Sequence, residues 1–104
     1  MSAQLPDVKE KIDTDAEEKT AEPPMYRVLI HNDNFTTKAF VVEVLVVVFS
    51  KSVEAATDIM WQTHRKGTGL CGIYTREVAE TKIKISGAMA SDAGYPLRLS
   101  MEEQ

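Results

Sequence analysis

Few side chains in this 104-residue sequence can support chemistry: two histidines, one cysteine and a run of three Asx residues. Asn32-Asp33-Asn34 follows a strand-like segment. Such a run reads as a turn, because Asx side chains bond nearby backbone groups and tolerate unusual dihedrals. It is too poor in ligands for a calcium loop. His64 lies one helical turn after Met60 on an otherwise apolar face. Two readings stay open for it: a half-buried helix histidine, or a polar acceptor at the rim of an apolar pocket. His31 ends a strand and is expected to be exposed. Cys71 sits in the apolar run LCGIY, where a free cysteine usually behaves as a small hydrophobe. As the only cysteine, it excludes an internal disulfide and any cysteine-based zinc cluster. No HExxH, Walker, GxGxxG or nucleophile-elbow pattern is present. The sequence therefore points to binding rather than catalysis, and no cofactor or metal is expected.

These side chains need elements to hold them. Met25–His31 alternates Tyr26, Val28 and Ile30 with Arg27, Leu29 and His31, as a strand does. Thr36-Thr37 offers an N-cap. The following run, residues 39–50, fits a Val-rich strand or a helix with Phe40, Val44, Val47 and Val48 on one face. Ser52 can cap a second helix reaching Lys66, with Val53, Ala56, Met60 and His64 on one face and Gly67 as its stop. Leu70–Tyr74 is a second strand. Thr75 caps a helix over about Arg76–Ala93, with Glu77 in its first turn. Val78, Lys82, Ile85 and Met89 share a face of that helix, with Ala79, Ile83 and Ala90 nearby; Glu80 and Lys84 form an i,i+4 pair. Gly94 ends the helix, and Leu97–Met101 is a last strand. The expected class is α+β, with helices packed on a small, mainly antiparallel sheet.

Charge and composition bound the function. Residues 1–24 carry seven acids and three bases, whereas residues 25–104 carry nine of each. The reading is a disordered acidic extension over 1–24 and one neutral domain over 25–104. A neutral domain lacks the footprint of nucleic-acid binding. No segment has the apolar length to span a bilayer, and the N-terminus lacks the pattern of a secretory signal. A cytoplasmic monomer with a shallow binding site is expected.

Three blocks go further: PPMYRVLIHNDNFTT, ATDIMWQTH and GLCGIYTREVAETK. In this order they resemble the ClpS adaptor family, over about residues 23–101. The resemblance makes the Val-rich run a helix, giving three strands and three helices in the order β-α-α-β-α-β. That fold is similar to the C-terminal domain of the bacterial ribosomal stalk protein. It implies an adaptor that binds proteins with a free, bulky hydrophobic N-terminal residue and delivers them to the ClpA-type AAA+ unfoldase of the Clp protease. On this resemblance Asn32, Asp33, Asn34, Thr36 and His64 form the α-amine site, with Asn32 and His64 accepting from the amine. Lys38, Val41, Met60, Thr63 and Leu97 form the hydrophobic pocket. Glu77 and Lys82 match the surface that docks on the unfoldase N-domain, and the extension matches the segment the unfoldase engages.

Two positions depart from the family pattern. Asn34 stands where a second Asp is usual, which removes a carboxylate from the amine site. Lys38 stands where a Met usually gates the pocket. Weaker binding or altered specificity is therefore expected. An alternative keeps unfoldase binding but has a degenerate pocket, so that the chain modulates the Clp machine without carrying N-degrons.

Overall fold

The computed structural model describes residues 22–104. The acidic extension lies outside the described residues, apart from residues 22–24, which form no helix or strand. The elements run β1 (Met25–His31), α1 (Lys38–Val47), α2 (Val53–Lys66), β2 (Thr68–Thr75), α3 (Arg76–Ala93) and β3 (Arg98–Glu103). The three strands form one antiparallel sheet in the order β2-β1-β3. The expected α+β class and element order hold, and the Val-rich run is a helix.

Local chemistry sets the helix ends. The Thr37 side chain accepts from the Phe40 N–H at 3.1 Å, and Ser52 accepts from the Ala55 N–H at 3.1 Å. Each satisfies one of the donors that a helix N-terminus leaves free. Gly67 and Gly94 close α2 and α3 in the left-handed region, with φ of 92° and 80°. Thr75 occupies the N-cap position of α3 but makes no side-chain capping bond. The end of α1 is unusual: Ser50 takes φ 56°, and the Lys51 N–H reaches back to the Leu45 carbonyl at 3.1 Å. Serine does there what glycine normally does, against a steric cost of roughly 1–2 kcal/mol.

β1 is the central strand, and its Val28 and Ile30 are fully buried. α3 packs against all three strands, while α2 packs on β2 and α1. Val41, Val44, Leu45, Ala56, Met60, Cys71, Ala79, Ala90 and Leu97 complete most of the core. Several apolar residues expected inside are exposed. Val47 and Val53 are open on α1 and α2, and Val78 and Ile85 on α3. The buried stripe of α3 is Ala79, Ser86 and Ala90 instead, one position round from the larger residues. Small side chains let the helix lie close to the sheet, and the bulkier stripe beside them is left outside. The anticipated Glu80–Lys84 pair is replaced by Arg76–Glu80, 3.4 Å apart.

β2 meets α2 at an unusually close approach. A Cβ on Gly69 would collide with the Thr63 hydroxyl and lie 3.2 Å from both the Ile59 Cγ2 and the Ile59 carbonyl oxygen. Only glycine lets the last turns of α2 sit this close to the sheet, and those turns carry Met60, Thr63 and His64.

Candidate functional site

The loop after β1 and the C-terminal half of α2 face one another across a cavity of about 350 Å³. That is the small end of the ~300–1,000 Å³ range of ligand pockets. One backbone bond fixes the two sides: the Asn32 N–H donates to the Gly67 carbonyl at 2.9 Å. The end of the central strand is thereby tied to the residue that caps α2.

The wall is apolar. Val41 comes from α1, Met60 and Thr63 from α2, and Leu97 from the approach to β3; all four are buried. Thr63 does not add a free polar group, because its hydroxyl donates to the Ile59 carbonyl at 2.8 Å. The mouth is polar. Asn32, Asp33, Asn34, Thr36, Lys38 and His64 line it, and of these only Asp33 and Thr36 are even half-buried. Every residue expected at the amine site and in the hydrophobic pocket thus lies on one cavity.

Asp33 organises the loop. Its Oδ1 accepts from the Phe35 N–H at 2.8 Å and the Thr36 N–H at 2.7 Å, and its Oδ2 accepts from the Thr36 hydroxyl at 2.7 Å. Burial pushes the carboxyl upward, but the bonds from Thr36 and Phe35 outweigh it and hold it below the usual aspartate range. It is ionised at neutral pH and, among the described residues, supplies the one negative charge in the cavity lining. His64 is exposed rather than half-buried, and its ring meets Trp61 edge-on with centroids 5.9 Å apart. The reading of His64 as a half-buried helix histidine is set aside.

His31, Phe35 and Thr37 also line the cavity, and the sequence reading did not assign them to it. His31, expected to be exposed, is half-buried, and its Nε2 lies 2.7 Å from the Ser100 Oγ. Burial, with the nearby Arg98 charge, pushes its imidazole below the usual range, so the ring is neutral at pH 7. No local signal reveals this, since Ser100 lies 69 residues away in sequence.

Glu77 and Lys82 are not part of this pocket. They border a separate groove of about 430 Å³ with Val47, Val48, Val78, Thr81 and Ile85. The Lys82 ammonium is already engaged: it donates to the Val48 carbonyl at 2.7 Å and lies 5.3 Å from the Tyr74 ring centre and 5.8 Å from that of Phe49. It therefore ties α3 to the C-terminal end of α1, where free carbonyls favour a cation. Glu77 is exposed.

The remaining nucleophile is inert. Cys71 is fully buried, and burial pushes its thiol up to about 12, which leaves no thiolate at neutral pH. Among the described residues no cluster of three or more His, Cys, Asp or Glu side chains is placed to hold a metal ion. No helix among them is long and apolar enough to cross a membrane.

Comparison with known proteins identifies the family. Residues 21–100 match the family model described as ATP-dependent Clp protease adaptor protein ClpS. The ClpS adapter of Desulforapulum autotrophicum is 47% identical over 104 residues, covering 100% of both chains. That of Nitratidesulfovibrio vulgaris strain DP4 is 60% identical over 81 residues, 78% of each chain. The solved structure of Agrobacterium tumefaciens ClpS2 bound to L-phenylalaninamide superposes with a TM-score of 0.77 at 34% identity, covering 80% of this chain and 100% of that one. A family match over most of the length, relatives about half identical and the shared fold lead to one conclusion: the chain belongs to the ClpS family of ATP-dependent Clp protease adaptor proteins.

Proposed function

We propose that this adaptor, which is not an enzyme, binds proteins by a free N-terminal residue with a bulky hydrophobic side chain and delivers them to a ClpA-type unfoldase of the Clp protease in the cytoplasm. One observation carries the reading: acceptors and a carboxylate ring the mouth of a cavity whose wall is apolar. Such a site meets both demands of a hydrophobic N-terminus. The ammonium brings three donors and a charge, which lose water on binding and must find acceptors. Asn32 and His64 accept, and Asp33 supplies compensating charge while holding the loop. The side chain enters between Val41, Met60, Thr63 and Leu97, where burial stabilises the complex by about 1.5–3 kcal/mol. The flexible thioether of Met60 suits several shapes of guest. Phenylalaninamide, bound by the Agrobacterium relative, presents this pairing of a free α-amine and an aromatic side chain.

Delivery needs a second surface. The groove of Val47, Val78 and Ile85, bordered by Glu77 and Lys82, lies apart from the pocket and docks on the unfoldase N-domain, with the chain acting as a monomer. An exposed apolar patch of this kind typically marks an interaction surface. The test is degradation of a Leu-initiated reporter by unfoldase and peptidase, with the chain present or absent. The reporter is expected to be degraded only when the chain is added. A Glu77→Arg variant is expected to lose most of this stimulation while melting as the wild type does and binding a Leu-initiated peptide unchanged. Lys82→Met is the weaker probe, because loss of the bond to Val48 also costs stability, about 1–2 kcal/mol. Unfoldase docking without any peptide binding would overturn delivery and favour a modulator with a disabled pocket.

A further inference from the structure

The pocket mouth carries a cation that amine recognition does not use. Lys38 is the first residue of α1, exposed, and lines the cavity. Its Nζ stands 5.6 Å from the centre of the Trp61 ring, itself 42% exposed. The ion pairs among the described residues are Arg27–Glu102 and Arg76–Glu80, so no carboxylate there pairs with Lys38. Asp33, the acid in the cavity lining, accepts from its own loop and forms no ion pair with Lys38. Nor does Lys38 serve its helix. A cation in the first turn faces the positive end of the helix dipole, and α1 has no acid there to offset it. What holds the ammonium at the mouth is the face of Trp61, by a cation–π contact.

We propose that Lys38, seated on Trp61, reads the second residue of a bound N-terminus and favours an acidic side chain there. This rests on the adaptor reading above. With the amine at Asn32, Asp33 and His64 and the first side chain against Met60 and Leu97, the second residue is the first to stand outside the cavity, beside Lys38. An aspartate or glutamate at that position pairs with the ammonium. It also offsets the repulsion between Lys38 and the incoming α-amine. A lysine or arginine there adds a third positive charge to the same mouth. The pair is solvent-exposed, so the preference is modest and salt-sensitive.

The test is fluorescence anisotropy of labelled peptides that begin Phe-Glu, Phe-Ala or Phe-Lys and are otherwise identical, titrated with the full chain. Relative to Phe-Ala, Phe-Glu is expected to bind about three- to fivefold tighter and Phe-Lys about three- to fivefold weaker at low salt. The spread is expected to shrink in 0.5 M salt, to collapse in Lys38→Met and to reverse in Lys38→Glu. Equal affinity for the three peptides in the wild type, or a spread that survives both substitutions, would overturn the proposal and leave amine recognition standing. Failure of all three peptides to bind would overturn amine recognition itself, and this inference with it.

Discussion

Asp33→Ala is expected to weaken binding of a Phe-initiated peptide by about ten- to a hundredfold. The substitution removes three short bonds to Phe35 and Thr36 and the negative charge closest to an incoming ammonium. Hydrogen bonds to a charged group are each worth about 1.5–3 kcal/mol when buried, and less at this half-exposed position. The core does not depend on the loop, so the melting temperature should fall by only a few degrees. Asp33→Asn separates the two roles. It keeps an acceptor for the two amides and loses the charge, so its affinity should fall between wild type and alanine. The dependence on pH follows from the depressed carboxyl of Asp33. A group whose folded value lies below its unfolded one contributes stability above the ordinary aspartate range, and that contribution is lost as pH falls through the folded value. Its share of loop order and of binding should therefore be constant through neutral and mildly acid pH. It should be lost as pH falls below the ordinary aspartate range. Calorimetric titration of the three proteins checks the ranking, and the difference in affinity between wild type and Asp33→Ala, which should narrow as pH falls below the carboxylate range, checks the sign.

The second large effect comes from a residue that touches no ligand. Gly69→Ala places a methyl against the Thr63 hydroxyl and close to the Ile59 backbone. The hydroxyl can rotate, but the backbone of α2 cannot move without shifting Met60 and His64. Overpacking of this kind costs about 1–3 kcal/mol, which lowers the melting temperature of a domain this size by about 4–24 °C. Peptide affinity is expected to fall as well, through displacement of α2 rather than loss of a contact. A cycle with Thr63→Ala identifies the cause: removing the hydroxyl should return part of the stability lost in Gly69→Ala, and strictly additive losses would argue against the clash.

Much of the fold was legible because local signals sit at its boundaries. Ser52, Gly67 and Gly94 mark helix ends that pattern and capping chemistry both favour, and α3 begins and ends where expected. The Val-rich run was different. Its composition suits a strand, and only the block order resolved it; α1 then uses Phe40, Val41, Val44 and Leu45 as its buried side. Periodicity failed where two apolar stripes run side by side. On α3 the pattern favours Val78 and Ile85, yet Ala79, Ser86 and Ala90 face the sheet, because close packing selects small side chains over greasy ones. Ser50 was illegible for another reason: no glycine or asparagine signals its left-handed turn.

The candidate site divides in the same way. The ten residues expected at the amine site and in the pocket line one cavity, although they come from the loop after β1, from α1 and α2, and from the approach to β3. They were found through the resemblance, since spacing alone linked only Met60 to His64. His31, Phe35 and Thr37 were missed, because their place on the cavity depends on how the loop after β1 folds over α2. Lys38 was legible as a departure from the family pattern. Its seat on Trp61 was not, because that contact joins two helices whose relative placement is a tertiary property.

The central claim is that the pocket recognises a free α-amine together with the side chain beside it. The most direct measurement compares one Phe-initiated peptide with its N-acetylated twin, titrated against the same protein at pH 7.5. Acetylation leaves the aromatic side chain intact but removes the charge and two of the three donors. With the acceptors at the mouth left unpaired, affinity is expected to fall by about a hundredfold or more. Equal binding of the two peptides would contradict amine recognition and reduce the cavity to a general hydrophobic site.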